Sequence, residues 1–150
     1  MFPSKSSLKS LSGSRLVCPL AGVQSIAAQY ALFHHADDFA CFAMALAEVE
    51  GFDRRRRQHF TTLNRHFPAP SLGVMRASLL ISQMKVLVAA WDVFFEHYYT
   101  QREGAQRRVG GFLLERLHSF LLYEELERGV EFSVGYLNIV SDTDKINATT

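Results

Sequence analysis

The chain has 150 residues, 48% of them apolar and twelve of them Phe, which excludes a wholly disordered protein and suits one domain with a proper core. Sixteen Lys and Arg against fifteen Asp and Glu leave a formal charge of +1, which argues against a dedicated nucleic-acid binder. Two cysteines, Cys18 and Cys41, make no disulfide scaffold and match no zinc spacing. Buried free thiols are their expected state, with one disulfide as the alternative in an oxidising compartment.

Residues 1–19 form a basic, Ser-rich arm. No acid occurs before Asp37, while Lys5, Lys9 and Arg15 lie among serines 4, 6, 7, 10, 12 and 14. That pattern fits an organellar, mitochondrial targeting segment, because a polarised membrane draws cations toward its negative side. Pro3, Gly13 and Pro19 interrupt it, and its leucines form no clean helical stripe. A secretory signal with Leu16 to Val23 as its apolar region, split by Pro19, and a plain solvated arm are the competing readings.

Residues 20–129 read as a helical domain. A short Ala-rich helix is expected over 20–34. Asp37 or Asp38 can cap a second helix from Phe39 to about Glu50, with Phe39, Phe42, Leu46 and Val49 at helical spacing and Gly51 as a stop. Asp53 caps a third, basic helix, in which Phe52, Phe60, Leu63 and Phe67 mark the apolar edge and Pro68 and Pro70 the end.

Ser71 to Tyr99 is expected to be the central helix, with Leu80, Met84, Leu87, Trp91, Phe94 and Tyr98 on its main face. Within it, Ala77 to Phe95 carries one Lys and one Asp, Lys85 and Asp92, and approaches the twenty or so apolar residues that a membrane span requires. A charge at mid-bilayer costs about 2.5–3.5 kcal/mol, which counts against a lone lipid-exposed span. Such a helix fits either the core of a bundle or a membrane segment within a complex.

Ala105 to Arg128 reads as the last helix, weakened at its start by Gly110 and Gly111 and stopped by Gly129. The hydropathy period then changes. Val130, Phe132, Val134 and Tyr136 alternate with Glu131, Ser133 and Gly135, which makes a strand-like segment suited to a partner's sheet. Residues 130–150 therefore form an extended segment and polar tail.

Motifs for chemistry are sparse. His34, His35, Asp37 and Asp38 are the only metal-like cluster, and a helix joint with exposed imidazoles explains them as well. Arg54, Arg55, Arg56 and Arg57, with Arg65 and His66, form the densest charge feature, to which Arg107 and Arg108 could add. Its chemistry suits phosphate, either of an anionic lipid such as cardiolipin or of RNA, though four successive arginines on a helix cannot share one face. No nucleophile elbow, phosphate loop or dinucleotide fingerprint occurs. No catalytic, cofactor or metal residue is expected, and the chain reads as a non-enzyme.

The predicted fold is all-α: an irregular bundle of four to five helices with an extended N-terminal arm and a strand-like C-terminal segment. The predicted role is that of a non-catalytic accessory subunit of a large mitochondrial inner-membrane assembly, a respiratory-chain complex or the ATP synthase. Its partners would be other protein subunits and anionic lipid, with membrane association through Ala77–Phe95 and no nucleic acid. The alternatives are a mitochondrial ribosome subunit contacting RNA through Arg54–Arg57, a freestanding helical protein-binding domain, and a metal enzyme using His34, His35 and Asp38.

Overall fold

The computed structural model describes residues 18–19, 22, 24–67 and 75–129; the strand-like segment with Val130, Phe132, Val134 and Tyr136 lies outside the described residues, as does most of the basic arm. The described chain is all-α, with five helices: α1 (Ile26–Phe33), α2 (Ala36–Ala45), α3 (Arg54–Thr62), α4 (Ala77–His97) and α5 (Val109–Glu127). Single 3-10 turns follow α2, at Leu46–Glu48, and precede α5, at Gly104–Arg108.

Local chemistry sets the boundaries. Helix α1 starts later than the Ala-rich run suggests, because Ser25 caps it: its Oγ accepts from the Ala28 backbone N–H at 3.1 Å. Helix α2 starts three residues earlier than expected. Asp37 and Asp38 therefore lie in its first turn, where they oppose the positive helix end, and neither is the cap. Gly51, at φ +80, turns the chain toward α3 in a backbone region that L side chains rarely adopt. Asp53 caps α3 as the sequence predicts, with its Oδ1 accepting from the Arg56 N–H at 2.7 Å.

Helix α3 ends at Thr62, before the prolines. Tertiary pairing ends it instead. Leu63 leaves helical geometry, and its carbonyl accepts from the Ile26 N–H at 2.7 Å, which ties the end of α3 to the start of α1. Next, β2 (Arg65–His66) pairs antiparallel with β1 (Cys18–Pro19), Cys18 opposite His66.

The centre of the bundle is α5 rather than the helix Ser71–Tyr99. Helix α5 buries Leu113, Leu117, Phe120, Leu121 and Leu122 along its length. Helix α4 buries only Gln83, Leu87, Ala90 and Phe94 and lies at the edge, against α2 and α5. The core is largely aromatic. Phe42 meets Phe94 edge-on at 5.6 Å, Phe60 meets Phe120 at 5.5 Å, and Phe39 stacks on Phe60 at 5.3 Å. Helix α4 approaches α5 closely at Gly110, where a Cβ would lie 2.3 Å from the Trp91 ring. The glycine that weakens α5 locally thus admits an indole against its backbone.

Candidate functional site

The four arginines of α3 divide by helical position. Arg54 and Arg55 are exposed. Arg56 is held inside the bundle: its Nε and Nη2 donate to the Glu124 carboxylate at 2.8 and 2.5 Å, and Nη1 donates to the Gly51 carbonyl at 3.1 Å. Its guanidinium also lies 4.1 Å over the Phe52 ring. Arg57 is half-buried, and its Nε is buried without a partner among the described residues. Arg65 lies on β2 beside Tyr123 of α5, whose hydroxyl burial pushes upward while this guanidinium draws it down. The five arginines therefore form no single patch, because a helical run points around the axis and one member pairs with an acid 68 positions away.

Arg54 and Arg57 do share one feature. With Gln58 and Thr61 they line the α3 wall of an open groove of about 360 Å³, and Ala43 and Met44 of α2 form the opposite wall. The Thr61 hydroxyl donates to the Gln58 carbonyl at 3.0 Å, which orients it and leaves its lone pairs to accept. Met44 is exposed. The groove thus sets two cations and an amide beside a thioether side chain, a combination suited to an anionic group attached to an aliphatic chain.

The His34, His35, Asp37, Asp38 cluster is dispersed. His34 stacks on Phe112 with 4.1 Å between ring centres, and its Nδ1 hydrogen-bonds Gln106 Oε1 at 3.1 Å. Asp38 is buried and accepts from Arg102 Nε and Nη2 at 3.2 and 2.8 Å, a bond that pushes the Arg102 pKa up. His35 and Asp37 are exposed. Among the described residues, no three His, Cys, Asp or Glu side chains converge to hold a metal ion. Cys41 is a half-buried free thiol.

No family model, curated protein or solved structure matches this chain.

Three buried polar arrangements escape sequence reasoning. Gln83 of α4 and His118 of α5 bond each other at 3.1 Å inside the helix interface, where burial pushes the His118 pKa down. Arg116 lies 4.9 Å over the Tyr30 ring and donates from Nε and Nη2 to Gln29 Oε1 at 3.1 and 2.6 Å; burial lowers its pKa. The Tyr30 hydroxyl is buried without a hydrogen-bond partner among the described residues, and burial first, then the charge of Asp38, pushes its pKa up to about 12. The available signal was a lone polar residue on an otherwise apolar helix face, at Gln83, Arg116 and His118.

Helix α4 carries a second apolar face beside its buried one. Leu80, Ile81, Met84, Val88 and Phe95 are 41–56% exposed. By length and composition α4 is the one described helix able to cross a membrane, yet only 22% of its most apolar window is buried within the bundle. Lys85 and Asp92 are both exposed, and neither forms an ion pair among the described residues.

Proposed function

We propose that the protein is a non-catalytic accessory subunit of a large mitochondrial inner-membrane assembly, a respiratory-chain complex or the ATP synthase. The groove between α2 and α3 carries this reading. Its free arginines, Arg54 and Arg57, stand beside Met44, as an anionic headgroup with an acyl chain such as cardiolipin requires. The acid-free, Ser-rich stretch before Asp37 supports an organellar address. The unpaired apolar stripe on α4 supports a role among partner subunits, because a folded monomer rarely leaves so continuous an apolar surface facing water. The bundle lies against the membrane surface, since Lys85 and Asp92 would oppose a spanning α4.

The RNA-binding alternative is weakened by Arg56, which is committed to Glu124. A freestanding protein-binding domain is the second reading, favoured by the closed aromatic core of Phe42, Phe60, Phe94 and Phe120. Cell fractionation with an antibody to the native chain tests the proposal. Co-fractionation with inner-membrane markers supports it, and a cytosolic pool with no organellar signal overturns it.

A further inference from the structure

The exposed apolar residues of α4, Leu80, Ile81, Met84, Val88 and Phe95, are not scattered. Ile81, Met84, Val88 and Phe95, with the half-buried Trp91, follow a 3-4-3-4 spacing, which is the seam of a two-helix coiled coil. Four of the five are at least 44% exposed, and Trp91, half-buried over Gly110, fills the remaining position. The stripe spans about 80° on the helical wheel, the narrow width of a coiled-coil seam.

The two flanks of the seam differ. Leu80, Leu87 and Phe94 form one flank, of which Leu87 and Phe94 are buried in the bundle and Leu80 is exposed. Lys85 and Asp92 form the other, one heptad apart, opposite in sign, exposed and unpaired among the described residues. In a parallel pair this charged flank would face the partner's apolar flank. In an antiparallel pair like flanks meet, so Lys85 meets Asp92 of the second helix and Asp92 meets its Lys85. A two-fold axis near Val88 satisfies both pairs with one surface, as an isologous interface requires.

We propose that this chain forms a two-fold symmetric dimer through antiparallel pairing of α4 with α4 of a second copy, seamed by Ile81, Met84, Val88, Trp91 and Phe95 and keyed by reciprocal Lys85–Asp92 pairs. The dimer names the partner for the α4 stripe and deepens the subunit reading: the protein enters its assembly as a pair.

The test is sedimentation equilibrium on the purified full-length chain. The wild type shows a concentration-dependent monomer–dimer equilibrium. Lys85→Asp and Asp92→Lys each set like charges across both pairs and weaken self-association about tenfold. Mixing these two variants restores dimers, as heterodimers, and the double variant K85D/D92K self-associates like the wild type. Val88→Glu abolishes the dimer while circular dichroism shows the helical fold retained, since Val88 is 50% exposed. A wild type that stays monomeric at every concentration overturns the proposal, and so does a dimer indifferent to the charge exchanges. A monomer that binds phosphatidylcholine vesicles and loses that binding on Val88→Glu also overturns it and assigns the stripe to lipid. Dimerisation of a chain with no organellar signal retires the proposed function and leaves the dimer; an organellar but monomeric chain does the reverse.

Discussion

Gly110→Ala tests the closest approach in the bundle. The added Cβ would lie 2.3 Å from Trp91 Cζ3 and 2.6 Å from Cη2, well inside van der Waals contact, against a rigid indole. Overpacking of this kind costs about 1–3 kcal/mol, because the ring must leave its well or the helices must part. Replacing glycine by alanine within a helix recovers about 0.5–1 kcal/mol. The expected net loss is therefore about 1–2 kcal/mol, or a Tm lowered by about 3–8 °C for a domain of this size. Gly111→Ala is the built-in control. Nothing lies within 4 Å of its added Cβ, so only the propensity gain remains and the protein becomes more stable. Urea and thermal melts give the energies. Trp91, the only tryptophan, reports the cause by a red-shifted emission as its ring moves toward water. A Gly110→Ala protein that melts at or above the wild-type temperature with unchanged emission would show that the Trp91 ring does not block a Cβ at this position.

Four further outcomes are expected. Tyr30→Phe removes a buried hydroxyl without a partner, so stability at neutral pH rises by about 1 kcal/mol in urea melts. Because the folded Tyr30 pKa of about 12 exceeds the usual 10.0, wild-type stability declines as pH rises above 10 and the variant lacks that component. His118 has a folded pKa below 6.5, so its contribution is complete above pH 6.5 and is lost as pH falls toward the folded value; His118→Gln flattens that part of the stability–pH curve. Arg102→Ala leaves the buried Asp38 carboxylate alone and lowers Tm more than Asp38→Ala, which leaves a guanidinium that water can reach; a double-mutant cycle reads the coupling. Arg54→Glu, at an exposed groove position, leaves Tm unchanged and weakens binding to cardiolipin vesicles, whereas Arg56→Glu sets a carboxylate against Glu124 and lowers Tm.

Much of the architecture was readable where local chemistry decides it. Asp53 announces α3, and the Phe39, Phe42 and Leu46 series correctly marks the buried side of α2 and its 3-10 turn. Reading failed where a distant partner decides. Helix α4 is apolar over most of its circumference, so its series of Leu80, Met84, Leu87, Trp91, Phe94 and Tyr98 runs between two faces. The face that enters the core is the one carrying a glutamine, whose Oε1 bonds His118 on α5. Periodicity cannot foresee a polar pair formed across 35 positions. The same holds for Asp38, which looks like a cap in sequence and is anchored by Arg102, and for Arg56, which looks like part of a phosphate patch and is held by Glu124. Of the α3 arginines that such pairing leaves over, Arg54 and Arg57 line the groove. Proline signals were overridden as well: α3 stops at Thr62 because Leu63 and β2 find partners at Ile26 and β1.

The most direct test of the central claim is gentle detergent extraction of the native source, followed by size separation and mass spectrometry of what co-migrates with this chain. An accessory subunit migrates in a large particle together with inner-membrane respiratory-chain or ATP synthase subunits. Migration at the mass of the free chain or of its dimer, with no other protein, would contradict the account and leave a freestanding helical domain.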